Sequence, residues 1–130
     1  MKVHHIGYLV QNIEKAKKAF LDLGYSAATE LHHDTDREIF ILFMEKDGYV
    51  VELVAPNGEN SVVAGLSKRL RNSPYHICYE SDSFELDITD LRKKGFMPIS
   101  KPARATALEG RDVLFLMHPQ LGIAEIIRTE

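Results

Sequence analysis

Two histidines and two glutamates, His5, Glu52, His76 and Glu125, have the side chains and the spacing to hold a divalent cation. Imidazole nitrogen together with carboxylate oxygen suits Zn²⁺, Mn²⁺, Fe²⁺, Co²⁺ or Ni²⁺. The histidines open two similar tetrapeptides, His5-Ile6-Gly7-Tyr8 and His76-Ile77-Cys78-Tyr79, which lie 71 positions apart. Gly24 and Gly95, each closing a helix-patterned stretch, keep the same offset of 71. The glutamates follow their histidines by 47 and 49 positions, inside Val50-Val51-Glu52-Leu53-Val54 and Ile123-Ala124-Glu125-Ile126-Ile127. A carboxylate flanked by apolar strand residues is costly to bury unless it is paired or bound to a cation. Taken singly, a strand histidine is usually a partly buried polar group, and a strand glutamate usually sits on a solvated edge. The same accident would have to occur four times at matched spacing, which favours two half-sites of one metal centre.

The elements that must position these residues repeat as well. Val3–Val10 alternates like a strand, and Asn12 is placed to cap a helix whose apolar stripe is Ile13, Ala16, Phe20 and Leu23. Gly24 ends it. Strand-like runs follow over Tyr25–His33, Arg37–Met44 and Gly48–Ala55, with Lys46-Asp47-Gly48 as a hairpin turn. Ser61–Arg71 reads as a connecting helix capped by Ser61. The order then recurs. Tyr75–Glu80 is a strand, Asp82-x-x-Glu85 has the form of a capping box, and Phe84, Ile88 and Leu91 line a helix ended by Gly95. Met97–Ala107 carries Pro98 and Pro102 and is restricted to an edge or broken strand. Val113–Met117 and Ile123–Arg128 complete a second β-α-β-β-β series.

Strand parity assigns faces. His5, Gly7 and Leu9 point one way, while Ile6, Tyr8 and Val10 point toward the helix. His76, Cys78 and Glu80 likewise oppose Ile77 and Tyr79. Both histidines therefore project from the helix-free face, and the small residues Gly7 and Cys78 leave room beside them.

The chain has 130 residues, 45% of them apolar, within the usual size of one domain with a real core. A net charge of −3 argues against a nucleic-acid partner. No apolar run approaches a membrane span, and Met-Lys-Val-His-His is not a secretion signal. The single Cys78 excludes an internal disulfide and fits a cytoplasmic location.

Four segments together resemble the vicinal oxygen chelate superfamily: His5-Ile6-Gly7-Tyr8-Leu9-Val10, Val51-Glu52-Leu53-Val54-Ala55-Pro56, Tyr75-His76-Ile77-Cys78-Tyr79-Glu80 and Gly122-Ile123-Ala124-Glu125. That superfamily includes glyoxalase I, methylmalonyl-CoA epimerase, extradiol dioxygenases and drug-resistance binders. The likeness covers essentially the whole chain and is greatest to the methylmalonyl-CoA epimerases, to which Pro56–Leu66 and Phe115–Pro119 are also similar. It implies an α+β fold of two tandem βαβββ modules, residues 1–56 and 74–130 joined by a helix in 57–73. These would form one pseudo-symmetric, cup-shaped mixed sheet in a single domain, with helices on the outer face.

The resemblance also implies that His5, Glu52, His76 and Glu125 hold one divalent metal, with an acyl-CoA or thiol-adduct substrate and a homodimeric assembly. The reaction expected is proton transfer beside a metal-bound carbonyl or thioester oxygen, with Glu125 as base and Glu52 as its counterpart. Glyoxalase I activity is the alternative, and a non-enzymatic drug-binding module is a further one. An extradiol dioxygenase would use two histidines and one carboxylate, so a fourth donor at Glu52 counts against it. Epimerases carry a further carboxylate on the third strand of the first module, where Phe40 stands here and where Glu38 is the candidate replacement. Glu38, Phe40, Cys78 and Glu80 are the candidate substrate contacts. Lys68, Arg69 and Arg71 could meet phosphate, although such clusters are usually solvated helix faces. His32-His33-Asp34-x-Asp36 reads as a polar hairpin rim, and His118 as a turn residue.

Overall fold

The alternating run after Met1 forms β1 (Lys2–Leu9) in a computed structural model that describes residues 1–129. By internal contacts the chain divides into two compact units, His5–Tyr75 and the residues from His76 onward together with Met1–His4.

In the first unit β1 is followed by α1 (Ile13–Asp22), β2 (Ser26–Ala27), β3 (His32–Asp34), β4 (Ile39–Lys46), β5 (Tyr49–Pro56) and α2 (Ala64–Leu70). The strands are ordered β2-β4-β5-β1, with β3 also on β4. β1 and β5 run parallel, and the other pairs are antiparallel. The second unit holds β6 (Ser73–Ser81), α3 (Phe84–Lys93), β7 (Met97–Pro98), β8 (Ala103–Ala105), a 3₁₀ turn at Thr106–Leu108, β9 (Arg111–His118) and β10 (Gly122–Arg128). Its order is β6-β10-β9-β7, with β8 on β9 and with β6 and β10 parallel. Each unit is thus the expected βαβββ series in a mixed α/β fold.

The second strand of each series is broken into two short pieces, where the first had been expected to run unbroken over Tyr25–His33. The break has the same cause twice. Thr29 Oγ1 accepts from Phe43 N at 3.3 Å, and Ser100 Oγ accepts from Phe115 N at 3.1 Å. A hydroxyl replaces the ladder carbonyl there, so the neighbouring strand keeps its partner while the chain turns away.

Both long helices end alike. Tyr25 N bonds Phe20 O at 3.0 Å and Gly24 N bonds Leu21 O at 2.9 Å; Phe96 N bonds Leu91 O at 3.1 Å and Gly95 N bonds Arg92 O at 3.3 Å. This Schellman pattern requires a left-handed residue, and Gly24 (φ +95°) and Gly95 (φ +99°) supply it. The helix starts differ. Asn12 Oδ1 accepts from Lys15 N at 3.0 Å, as expected. The capping box at Asp82 does not form: Ser83 is the N-cap, and its side chain makes no cap bond to the helix. Ser81 Oγ accepts from Ser83 N at 3.1 Å and donates to Asp87 at 2.6 Å, and Glu85 is engaged by Arg128 instead. Ser61 is not a helix cap either. Its hydroxyl accepts from Val63 N at 3.3 Å in the preceding turn, and α2 starts at Ala64.

In the first unit α1 presents Ile13, Ala16 and Phe20 to Tyr8, Val10, Leu42, Met44, Val51, Leu53 and Ala55. Leu23, expected in that stripe, is 67% exposed because it is the C-cap, where the chain turns off. In the second, Phe84, Ile88 and Leu91 pack on Tyr79, Leu114, Leu116 and Ile126. Ile6 and Ile77, expected under the helices, are each 40% exposed, because α1 and α3 cover other strand residues.

Candidate metal centre

Parity and register bring one histidine and one glutamate together in each unit. In the first, parallel pairing sets Gly7 beside Glu52, and antiparallel pairing sets Phe43 on the other side of Glu52. His5, two residues before Gly7, shares their face. Its Nε2 lies 3.5 Å from Glu52 Oε1, and the Phe43 ring meets the imidazole edge-on at 5.4 Å and 79°. In the second unit Cys78 and Phe115 flank Glu125. His76 Nε2 lies 3.3 Å from Glu125 Oε1, and Phe115 meets the imidazole at 5.4 Å and 85°. All four polar residues are at most 5% exposed. The face opposite each pair carries the helix.

The donor set fits a metal ion. Ligand atoms about 2.0–2.2 Å from one ion stand roughly 3–3.5 Å apart, the separation found within each pair. A buried carboxylate beside a buried imidazole is the combination that a bound cation compensates. Phe43 and Phe115 were not singled out in the sequence. The signal was there: 72 positions separate them, close to the 71 of the histidines and the 73 of the glutamates. Each ring stands edge-on against its imidazole.

The remaining candidates scatter. Phe40 pairs with Ala55 and packs in the helix-side core, so it does not share Glu52's face. The β4 positions that do are Ile39, Ile41 and Phe43, with Glu45 exposed near the hairpin. The register puts Val113, Phe115 and Met117 in the corresponding places on β9. Glu38 precedes β4 with φ +52°, which takes it out of strand parity, and it accepts from Asn57 Nδ2 at 3.1 Å with His33 Nε2 at 3.8 Å. That arrangement joins the start of β4 to the end of β5 and argues against Glu38 as a replacement base. Cys78 is buried and shares Glu125's face, and Glu80 is half-buried beside Ile127.

Lys68, Arg69 and Arg71 are exposed on and just after α2. Asp34 closes a turn by accepting from Asp36 N and Arg37 N, each at 3.1 Å, which accounts for the polar rim. His118 is the last residue of β9 and not within the turn itself; it accepts from Gln120 N at 3.1 Å and lies against Phe96 at 4.7 Å. Among the described residues no helix is long and apolar enough to cross a membrane.

Comparison with known proteins gives a family and a fold. Residues 4–115 match the model of the glyoxalase/bleomycin resistance protein/dioxygenase superfamily. The chain is 28% identical over 120 residues to the mitochondrial methylmalonyl-CoA epimerase of Mus musculus, a match covering 92% of this chain and 66% of that protein. The chain thus spans about two thirds of the length of that relative. The fold superposes on methylmalonyl-CoA epimerase from Mycobacterium tuberculosis with a TM-score of 0.82 at 20% identity, covering 99% of this chain and 88% of the other. It also superposes on a variant of the Streptomyces coelicolor methylmalonyl-CoA epimerase in complex with 2-nitronate-propionyl-CoA, with a TM-score of 0.81 at 18% identity, covering 98% and 94%. All three proteins carry the name methylmalonyl-CoA epimerase.

Proposed function

Because the chain belongs to the glyoxalase/bleomycin resistance protein/dioxygenase superfamily, we propose that it is a divalent-metal-dependent epimerase acting on an acyl-CoA thioester. His5, Glu52, His76 and Glu125 would hold one ion between them. The observation that carries the proposal is the duplicated buried histidine–glutamate pair, at 3.5 Å and 3.3 Å, each walled by a phenylalanine. The names of the relatives, and the acyl-CoA analogue bound by the Streptomyces protein, supply the substrate class.

The ion, when bound, supplies Lewis acidity that favours negative charge on the substrate's carbonyl oxygen. The protein's own part is to move protons. Of the carboxylates on these two faces, Glu52 and Glu125 are the buried ones. With apolar residues at Ile39, Ile41 and Val113, the proton-transfer role falls to Glu52 and Glu125 themselves. Glu125 accepts the proton as the C–H bond beside the carbonyl breaks, and Glu52 delivers a proton to the opposite face of the same carbon. One C–H bond is lost and one is made, with inverted configuration. Phe43, Phe115 and the apolar strand residues keep bulk water away from the reacting carbon while the proton moves.

The test is to incubate metal-loaded protein with methylmalonyl-CoA in D₂O and follow the α-proton signal by NMR. Exchange is expected with at least one of Zn²⁺, Mn²⁺, Fe²⁺, Co²⁺ or Ni²⁺. No exchange with any of them sinks the epimerase reading.

A further inference from the structure

A cavity of about 430 Å³ lies between β1 and α1, and every residue lining it belongs to the first unit. Its floor is apolar. Val10 and the Tyr8 and Phe20 rings, which meet edge-on at 5.5 Å, form it together with Ala16 and Ala19, whose small side chains leave the space open. Its rim is polar and is formed by Gln11, Asn12, Lys15 and Asn72, all of them exposed. Asn72 Oδ1 accepts from Gln11 N, and Asn12 Oδ1 accepts from Lys15 N, each at 3.0 Å. With those oxygens engaged, each asparagine has its NH₂ group left to offer. The Lys15 ammonium adds a charged donor, and no carboxylate lines the cavity. An apolar pocket of this size with a few convergent polar groups is the usual form of a small-molecule site.

The second unit supplies the contrast. At the offset of 71, Val10, Lys15, Ala16 and Ala19 correspond to Ser81, Leu86, Asp87 and Asp90. Ser81 Oγ donates to Asp87 at 2.6 Å across the corresponding place, and Asp90 is paired with Lys94 at 2.7 Å. One copy of this corner is bridged and acidic, while the other is open and lined with donors.

From this contrast we propose that the first unit binds a small organic anion between β1 and α1, a carboxylate carried on a compact apolar body. The carboxylate accepts from Lys15 and the asparagine amides, and the body leaves water for Val10, Ala16 and the Phe20 ring. Tyr8 and Val10 have the strand parity opposite to His5. The site is therefore separate from the proposed metal centre and does not depend on the epimerase reading.

The experiment titrates isotope-labelled protein with benzoate and follows the backbone amide signals by NMR. Saturable shifts are expected at Tyr8, Lys15 and Asn72. Benzyl alcohol keeps the ring without the charge, and acetate keeps the charge without the ring; each should bind at least about tenfold more weakly. Lys15→Gln removes the charged donor and should weaken benzoate by about tenfold. Ala19→Leu fills the space from an exposed helix position and should abolish the shifts. Should Ala19→Leu fail to fold, Lys15→Gln decides alone. Benzoate affinity unchanged in Lys15→Gln, or shifts confined to His5 and His76, would overturn the proposal. So would signals at Tyr8, Lys15 and Asn72 that respond to protein concentration and not to benzoate, since a second copy of the chain would then cover this face.

Discussion

The first unit and the second are copies that have drifted, and the pattern of drift separates what the site needs from what the fold can replace. The histidine, glutamate and phenylalanine of each half-site keep the same contacts to within 0.2 Å in the histidine–glutamate distance. The glycine helix ends and the hydroxyl that breaks the second strand are also kept. The helix starts have diverged, and so have the residues beside the carboxylates. Local polar bonds at a helix start can be supplied by several side chains, so they change freely. Donor atoms cannot.

The largest effect should come from breaking the equality of the two half-sites. If both pairs hold one ion, His5→Ala and His76→Ala should each lower metal content by at least about tenfold, since losing even an outer partner of a ligand costs 10–100-fold. Elemental analysis of the purified variants reads this directly. Loss in one variant with full retention in the other would divide the proposed centre into separate sites. Glu125→Gln and Glu52→Gln should lower α-proton exchange by about 10²–10⁴-fold, the usual contribution of a positioned acid or base.

Next come the cores. Leu53→Ala and Ile126→Ala remove fully buried side chains from equivalent positions under α1 and α3, and each should cost about 2–5 kcal/mol. Urea denaturation would show whether the units share one transition or melt separately. The helix starts give a smaller contrast. Asn12→Ala deletes the bond to Lys15 N and should cost about 1 kcal/mol. Ser83→Ala deletes no cap bond and should stay within about 0.5 kcal/mol. Equal losses would mean that α3 is capped in solution by Ser83 after all.

Much of this was legible in the residue order. A repeat offset of 71, strand parity and the Gly24 and Gly95 stops gave the βαβββ series, placed His5 and His76 on helix-free faces and set Glu52 and Glu125 within the last strand of each series. Each of these rests on a short-range rule of backbone geometry. What could not be read depends on partners distant in sequence. Likeness to the epimerases set Phe40 in the place of their further carboxylate, whereas register on β5 puts it opposite Ala55 on the helix side. The capping box failed because Arg128, 43 residues away, holds Glu85, and Ser81 takes over the helix start. The role of Phe43 became visible only once register placed it beside Glu52.

The smallest effect isolates one such distant partner. Glu85 and its counterpart Glu14 both sit in the first turn of their helices, so both enjoy the same favourable interaction with the helix dipole. Only Glu85 meets an arginine: Arg128 donates to it through both terminal nitrogens, one of them at 3.2 Å. Ala55 occupies the equivalent place in the first unit, 73 positions earlier. The hydrogen bond from Arg128 holds the Glu85 carboxyl below the usual glutamate range. A carboxyl whose pKa is lowered by folding contributes stability above its unfolded pKa, and loses it as the pH falls through the folded pKa. Glu85→Gln should therefore lower the melting temperature slightly at neutral pH, with the difference vanishing in acid. The effect stays small because the pair is solvent-exposed and screened by salt. Arg128 also keeps Asp112 at 3.3 Å and the Phe84 ring at 4.4 Å. Glu14→Gln carries the dipole contribution alone, so subtracting its effect leaves that of Arg128. If the two variants titrate identically in melting temperature from pH 7 to pH 3, Arg128 adds nothing to α3 and the two helix starts are energetically equivalent.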